Sequence, residues 1–294
     1  MGKYSIKDIE VLTGVHAHTI RIWEQRYGII VPNRTETNIR YYSDEQLKQV
    51  LNIAFLNQKG FKISKLALMN TNQINDEIEK LYESSESNNI YIHGLQTAMV
   101  DFDKNKFEKI FATCILKDGI LKTMKDVIIP FMQKIGTMWI TGIINPAQEH
   151  FITNMIRKKI LVAIDGIVPE PNPNSKKFIL YLPEGEMHEI PLLIAYYVIK
   201  AHHHDGLYMG ASLPLNDLKK AINFIEPDYL ITAVTVPMTD FSMDDYFDII
   251  CSSFKNLNVW AMGSQTKFLY KTEKNLVKID EVEKLITELQ TINS

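Results

Sequence analysis

The sequence predicts a multidomain protein in which two helical regions precede an α/β region with a parallel sheet. Helix caps and turn signals alternate over about the first 70 residues, and helical apolar spacing continues to about residue 165. From residue 178 onward, strand-like runs alternate with helix-like runs. This last pattern is typical of a doubly wound sheet with helices on both faces.

The composition is that of an ordinary globular chain, with 46% hydrophobic and 23% charged residues among 294. No run approaches the roughly 18 apolar residues of a membrane span, and the first residues lack an apolar signal core. We therefore expect a cytoplasmic protein with no membrane contact. Cys114 and Cys251 lie far apart in helix-like patterns, which argues against a disulfide framework or a thiolate zinc site.

Residues 1–72 are predicted to form a winged helix-turn-helix domain. A capping box at Ser5 opens a short helix, and a glycine-containing turn leads to a second helix that stops at Gly28. Two β-prone runs around a polar tip within residues 29–42 predict the wing, and Ser43 caps a third helix. Two short helices joined by such a turn, followed by a wing, are typical of a DNA-binding module.

This domain is locally basic. Residues 1–72 hold ten Lys and Arg against six Asp and Glu, a balance of +4, whereas the remainder of the chain has a balance of −7. A basic module on an acidic body indicates a DNA reader attached to a sensing body. The candidate DNA-contacting residues are His16, His18, Thr19, Arg21, Arg26, Arg34, Arg40 and Tyr42.

Two alternatives stay open for these residues. The arginines suit bases and phosphates because their guanidinium groups donate in a fork, but they could be surface charges only. His16 and His18 could contact DNA, or could serve only as a helix cap and an exposed side chain.

The segments at residues 19–28, 32–35 and 40–43 strongly resemble the MerR family of winged helix-turn-helix regulators, over residues 3–70. The resemblance implies a homo-oligomer, a dimer or tetramer, that binds double-stranded DNA at an inverted repeat. One departure is that His16-Ala17 stands where related regulators often have Ser-Pro, which predicts a weaker helix cap.

Residues 75–167 are predicted to form a bundle of four or five helices, with one proline-led helix start at Pro146. Residues 168–177 are the predicted linker because three prolines in five residues disfavour both helix and sheet.

Residues 178–294 are the predicted α/β domain. The predicted strands are 178–182, 206–210, 229–235 and 259–262, and the predicted helices are 192–202, 215–225 and 243–254. In such a sheet the ligand crevice lies at the carboxyl ends of the strands. His188, Thr232, Thr235 and Gly263 fall near such ends.

Three segments of this domain resemble the cobalamin-binding unit of methionine synthase and of the light-responsive CarH or LitR repressors. Glu186-Met187-His188, with Pro191, corresponds to an Asp-x-His-x-x-Gly motif, Thr232 to Thr235 to a Ser/Thr-rich strand end, and Gly263-Ser264 to a Gly-Gly pair. The resemblance covers about residues 85–290 and implies a helical cap domain over cobalamin, with a Rossmann-like (flavodoxin-like) domain below it.

The chemistry of the residues agrees with this resemblance. Neutral imidazole is a good cobalt ligand, and a carboxylate two residues away can orient it, so His188 is the candidate metal ligand and Glu186 its partner. Small residues would line a slot for the nucleotide tail; these are Gly210, Ala211, Ser212, Thr232 and Gly263. The alternative is that His188 is only a loop histidine at a helix start.

On the upper side of the cofactor, Trp139 and the pair Glu149-His150 match the cap motif of the CarH-type repressors in spacing. The resemblance implies that Trp139 covers an adenosyl group and that Glu149 and His150 bind its ribose or base. Adenosylcobalamin is therefore the expected cofactor. The alternatives are a core tryptophan and an exposed polar pair on a helix.

Three departures concern this site. Pro191 replaces a glycine and loses an N–H, although the first turn of a helix tolerates proline. Ser264 replaces the second glycine of the pair. Ile140 stands where photoreceptor members carry a histidine that captures cobalt after photolysis, so that step cannot occur here in the same way.

A tract of three histidines, residues 202–204, lies at a helix end. Consecutive side chains point in different directions, which disfavours a single metal site and favours a role at the helix dipole.

The sequence thus predicts a DNA-binding regulator that responds to cobalamin and is not an enzyme, with light sensitivity left open. The alternative is a MerR-type regulator with a degenerate cobalamin domain that assembles the protein or senses another ligand. A corrinoid carrier enzyme is disfavoured by the DNA-binding module, and the remaining length leaves no room for a substrate barrel.

Overall fold

The structure is a computed structural model that describes residues 3–84, 88–140, 144–168, 170–238, 241–270 and 273–293. The chain forms two compact units, Met1–Ile152 and Thr153–Ser294. The predicted division at residues 72, 75, 168 and 178 is finer than these units and stays a prediction.

The first unit is helical apart from a small two-stranded sheet. Its helices are α1 (Ile6–Thr13), α2 (Ala17–Tyr27), α3 (Asp44–Gln58), α4 (Ile63–Leu66), α5 (Thr71–Ser84), α6 (Asn89–Val100), α7 (Lys104–Thr123) and α8 (Ile129–Ile140), and its strands are β1 (Asn33–Arg34) and β2 (Arg40–Tyr41). A π-helical segment, Met124–Ile128, joins α7 to α8. Helix α9 (Pro146–Asp165) begins in this unit and continues into the second.

The helix-turn-helix is built as the sequence predicts. Ser5 and Asp8 form a capping box that starts α1, and Gly14 ends it with a left-handed φ of 71°. Gly28 ends α2 in the same conformation. Strands β1 and β2 then pair antiparallel as the wing, and the Gln46 side chain of α3 donates to the Val31 carbonyl at its base.

Helices α5 to α9 confirm the predicted bundle of four or five helices. Gly119 interrupts α7 with φ 74° and ψ 168°, so this helix is kinked there. Helix α6 is buried along most of its length.

Helix α3 also packs against α6 of the bundle, within the first unit. The His93 ring stacks on Phe55 with centroids 4.3 Å apart and an interplanar angle of 7°. His93 Nε2 lies 3.0 Å from Asn52 Oδ1, and Lys48 of α3 pairs with Asp101, which follows α6.

The second unit contains a five-stranded parallel sheet. Its strands are β3 (Lys177–Pro183), β4 (Asp205–Leu213), β5 (Tyr229–Ala233), β6 (Asn258–Met262) and β7 (Leu276–Ile279), and its helices are α10 (Ile190–Ala201), α11 (Leu215–Ile225), α12 (Met243–Ser253) and α13 (Val282–Asn293). A short 3-10 helix, Ser264–Phe268, follows β6.

The strand order β4-β3-β5-β6-β7 confirms the predicted Rossmann-like, flavodoxin-like sheet. Helices α11 and α12 pack on one face through Ile179 and Tyr181 of β3, while α10 and α13 contact each other and the sheet. The order reverses between β3 and β5, and the crevice beyond the carboxyl ends of these strands is where such folds bind ligands.

Candidate functional site

A buried carboxylate stands at this reversal of strand order. Glu186, in the loop after β3, is 3% exposed. Its Oε1 accepts the backbone N–H of His188 at 2.9 Å and lies 2.6 Å from His188 Nδ1. Its Oε2 accepts the N–H and the hydroxyl of Thr235 at 2.7 and 2.9 Å, and the N–H of Val236 at 3.1 Å.

These bonds decide the charge of Glu186 and the tautomer of His188. Burial alone would raise the pKa of the Glu186 carboxyl, but the bonds from His188, Thr235 and Val236 outweigh it and lower the pKa to about 2. An ionised carboxylate only accepts hydrogen bonds, so the ring proton of a neutral His188 lies on Nδ1 and the lone pair on Nε2. The His188 side chain is 58% exposed, so this nitrogen sits on a ring that solvent and ligands can reach.

The loop that carries this pair is tied to the end of β4. The Ser212 N–H donates to the Glu186 carbonyl at 3.1 Å, and the Gly185 N–H donates to the Ser212 hydroxyl at 3.1 Å. Ser212 and Gly210 have left-handed φ angles of 53° and 82°. Two of the predicted slot residues therefore shape the end of β4 beside Glu186.

Gly263 and Ser264 follow β6 and lie against Val234 and Thr235, the segment after β5. A Cβ at Gly263 would lie 2.3 Å from the Val234 carbonyl oxygen, so only glycine fits there. The Ser264 hydroxyl donates to the Thr235 carbonyl at 2.9 Å. Thr232 is fully buried in β5, so it would line a slot only from inside the domain.

Pro191 lies in the first turn of α10, which Glu189 precedes as the N-cap residue. Helix N–H groups at this position have no intrahelical partner, so proline costs no hydrogen bond. The proline is therefore compatible with the position of the His188 loop.

The site fits a corrinoid better than a bare metal ion. Within the described residues no three His, Cys, Asp or Glu side chains come together as a set of metal ligands. The single imidazole oriented by Glu186 would fit a metal whose other ligands come from a cofactor. Apolar side chains also stand exposed at the same edge of the sheet, with Met187 66% and Phe268 47% exposed.

The predicted upper-side residues are only partly described. His150 Nδ1 lies 2.9 Å from Glu149 Oε2, in the first turns of α9, and the two side chains are 71% and 21% exposed. Asn145 and Gln148 cap this helix reciprocally. The side chains of Trp139 and Ile140 lie outside the described residues, so their roles stay predictions.

The DNA-binding module presents most of its predicted residues to solvent. Arg21, Arg26, Arg34, His16 and His18 are exposed, and Thr19 is half-buried. His16 precedes α2 without a side-chain cap, as the departure from Ser-Pro predicts. Its Nδ1 instead lies 2.9 Å from Glu10 Oε1.

The structure corrects the predicted role of Tyr42. Its ring is fully buried and its hydroxyl donates to Glu24, so Tyr42 does not face DNA. Burial, together with the bond to Glu24, raises the pKa of this hydroxyl. Arg40 is half-buried, with Nε 3.3 Å from Glu24 Oε2. Glu24 thus joins α2 to the wing, a role the sequence analysis missed because a glutamate among exposed arginines resembles a surface charge.

The three histidines after α10 have separate partners. His202 Nδ1 lies 2.8 Å from the Val198 carbonyl, and His204 Nδ1 accepts the Lys176 N–H at 3.2 Å. His203 Nε2 lies 3.7 Å from Glu170. The three side chains are therefore held by different partners at the end of the helix.

Two segments of the chain match known protein families. Residues 4–71 match the family model of the MerR HTH family regulatory protein, and residues 91–163 match that of the B12 binding domain. The helices of the described residues are too short or too polar to span a bilayer.

Two curated proteins of Myxococcus xanthus are similar over most of the chain. The HTH-type transcriptional repressor CarH is 22% identical over 271 residues, 90% of each protein. The HTH-type transcriptional repressor CarA is 28% identical over 228 residues, 76% of this chain and 73% of CarA. Among solved structures, the Methanosarcina barkeri monomethylamine corrinoid protein has a TM-score of 0.56 at 14% identity. The match covers 70% of this chain and 100% of the corrinoid protein, and it shows a shared fold.

The fold is therefore that of a helix-turn-helix module followed by a helical bundle and a Rossmann-like domain, a fold shared with a corrinoid protein. The chain has a MerR HTH domain and a B12-binding domain, and it is homologous to the CarH and CarA repressors.

Proposed function

We propose that this protein is a transcription regulator, not an enzyme, whose binding to DNA responds to cobalamin. The observation that carries the proposal is the Glu186–His188 pair at the switch point of the sheet, on the same chain as a helix-turn-helix with exposed arginines. The similarity to two proteins named as repressors supports a regulatory role.

His188 would hold the cofactor from below through Nε2, while Glu186 and Thr235 keep its ring oriented. When bound, cobalamin would supply a cobalt centre that can exchange ligands. The exposed apolar side chains near His188 would be covered by the corrin, and this burial would add to the affinity. The remaining residues assigned to the tail side are Gly210, Ser212, Thr232, Gly263 and Ser264.

The form of cobalamin that we expect is adenosylcobalamin, with Trp139 against the adenosyl group and Glu149 and His150 bonded to it. A response to light would then follow from loss of that group. The residue after the tryptophan is Ile140, which offers no nitrogen to cobalt, so a light response here would not end in histidine capture at that position.

On DNA, Arg21 and Arg26 would enter the major groove and Arg34 would contact phosphate from the wing. The target would be an inverted repeat bound by a dimer or tetramer. Replacing Arg34 by Ala should weaken binding to all sequences and lower the salt dependence by about one phosphate contact. Fluorescence anisotropy at several salt concentrations measures both.

The cofactor is tested directly. The purified full chain is mixed with adenosylcobalamin in darkness, passed through gel filtration, and its visible spectrum and size are recorded before and after green light. We expect corrinoid to co-elute and His188→Ala to change the lower-ligand spectrum, whereas the exposed His18→Ala should not.

Failure of any corrinoid to co-elute would contradict the cobalamin assignment. DNA binding that ignores bound corrinoid would select the alternative, a degenerate domain that serves assembly or senses another ligand. An unchanged size and spectrum after illumination would reject the light response alone.

A further inference from the structure

Glu189, the residue after His188, is held by two side chains from other elements of the second unit. Arg157 Nε, on α9, donates to Glu189 Oε2 at 2.8 Å. The Tyr208 hydroxyl, on β4, donates to Glu189 Oε1 at 2.6 Å. Both carboxylate oxygens are thus engaged, and the Glu189 side chain is only 18% exposed. Such bonds to an ionised group are stronger than bonds between neutral groups.

The backbone of Glu189 restricts the same loop. Its N–H donates to the Met187 carbonyl at 3.0 Å, which closes a tight turn around His188. Its carbonyl accepts the N–H of Leu193 at 2.8 Å, the first turn of α10. Tyr208 also stacks on Tyr196 of α10, with centroids 5.6 Å apart. The turn that contains His188 is therefore tied to α9, β4 and α10 at once.

Glu186 and Glu189 have different tasks in this arrangement. Glu186 bonds the His188 ring and so fixes its tautomer and rotation. Glu189 fixes the position of the backbone from which that ring projects, through its bonds to Met187 and Leu193. Both matter because a ligand held loosely binds metal more weakly.

We propose that Glu189 is a positioning residue for His188, and that its bond to Arg157 makes the position of the cobalt ligand depend on helix α9. This inference rests on the proposed function, in which His188 binds cobalt. Helix α9 is the element whose first turns carry Glu149 and His150. A displacement of α9 would reach His188 through Arg157 and Glu189.

The test uses the full chain and two variants with matched controls. Glu189→Gln and Arg157→Gln each remove one partner of the ion pair. The control for Glu189→Gln is Glu184→Gln, which removes a negative charge from the same loop. The control for Arg157→Gln is Lys158→Gln, which removes a positive charge at the next position of α9. Glu184 and Lys158 are both exposed. Amide hydrogen exchange of residues 184–190 is measured without ligand, and the affinity and visible spectrum are measured with hydroxocobalamin.

We expect Glu189→Gln and Arg157→Gln to speed exchange in this loop and to weaken hydroxocobalamin binding about tenfold, as loss of an outer partner of a metal ligand does. Their spectra should shift toward the form without a protein imidazole. The double variant should be no worse than the single ones, because the two residues act as one unit. Both controls should behave as the unmodified chain.

Each other outcome is decisive. If hydroxocobalamin binds and His188→Ala alters the spectrum while Glu189→Gln leaves exchange and spectrum unchanged, the positioning role is wrong and the proposed function stands. If the unmodified chain binds no corrinoid, the proposed function fails and this inference with it. Should Glu189→Gln not fold, Tyr208→Phe, which keeps its stacking on Tyr196, must show the same effects for the inference to stand.

Discussion

At the scale of single residues, the sharpest expectation concerns Glu186→Gln. An amide replaces one carboxylate oxygen by an NH2 group, which would face either the two donors of His188 or the three donors of Thr235 and Val236. A buried donor that faces donors costs about 1–3 kcal/mol, and lost bonds to a charge cost a similar amount. We expect the free energy of unfolding to fall by about 2–3 kcal/mol in urea titrations near neutral pH.

Glu184→Gln is the control for this substitution, because it makes the same chemical change at an exposed residue two positions earlier. Its effect should stay within about 0.5 kcal/mol, as for most surface substitutions. Equal stabilities of the two variants would show that the Glu186 bonds contribute nothing net to the fold.

A second residue with a clear expectation is His93, between α3 and α6. Burial lowers the pKa of this imidazole from its usual 6.5 to about 3, with smaller effects of Lys106 and Lys134. In the folded protein the ring therefore stays neutral below pH 6.5, while in the unfolded chain it binds a proton. The contribution of the neutral His93 ring to the free energy of unfolding is fully present above pH 6.5. It decreases as the pH drops toward 3, by up to about 1.4 kcal/mol per pH unit.

His93→Phe keeps a ring against Phe55 but cannot take up a proton. Between pH 6.5 and 4 its free energy of unfolding should fall less steeply than that of the unmodified chain. The slopes should differ by up to about 1.4 kcal/mol per pH unit, the value for one proton. At pH 8 it should be less stable by about 1–2 kcal/mol, since Asn52 Oδ1 loses its donor. A slope in His93→Phe equal to that of the unmodified chain would refute the assignment.

At the scale of elements, the end of β6 depends on glycine for two separable reasons. Gly263 has φ 95°, and a Cβ there would lie 2.3 Å from the Val234 carbonyl oxygen. Gly210, at the end of β4, has φ 82°, but a Cβ there would come no nearer than 4.0 Å to another residue, at the Tyr208 ring. Gly210→Ala should therefore cost only backbone strain, about 1–2 kcal/mol.

Gly263→Ala should cost that strain plus a backbone clash, so we expect a loss of at least about 3 kcal/mol in urea unfolding. The pair is its own control, because both changes add one methyl group at a positive φ. Similar losses for the two variants would mean that the segment after β6 can move away from Val234.

The order and type of most elements could be predicted because caps, glycines and prolines mark their ends. Helix α11 matches its predicted bounds, and the strands agree to within about one to three residues at each end. Strand β7 was missed, since four residues at a sheet edge leave too short a pattern to detect. Helix α13 was missed although Val282, Leu285 and Leu289 repeat at helical spacing and are buried.

The candidate site was predictable only where one local segment carries the chemistry. Glu186 and His188 are two residues apart, so their pairing could be inferred from spacing alone. The burial of Tyr42 depends on Glu24, 18 residues away, and the bond of Arg157 to Glu189 spans 32 residues. Nothing local distinguishes such residues from surface charges, because a tertiary contact alone gives them their role.

At the scale of the whole molecule, a regulator that couples cofactor to DNA must obey a thermodynamic cycle. If cobalamin changes the affinity for operator DNA by some factor, operator DNA must change the affinity for cobalamin by the same factor. Couplings of this kind usually amount to about 5- to 150-fold. We expect equal factors when DNA affinity is measured with and without adenosylcobalamin in darkness, and cobalamin affinity with and without operator, at one protein concentration.

Two variants separate the sites in this cycle. Arg34→Ala should weaken DNA binding at every cofactor concentration while leaving cobalamin affinity in the absence of DNA unchanged, because Arg34 is an exposed wing residue. His188→Ala should weaken cobalamin binding and leave the affinity of the cofactor-free protein for DNA as it was. A factor of one in both directions, with both ligands bound, would mean that the B12-binding domain does not control the DNA-binding module, and the protein would then be an assembled regulator whose signal is something else.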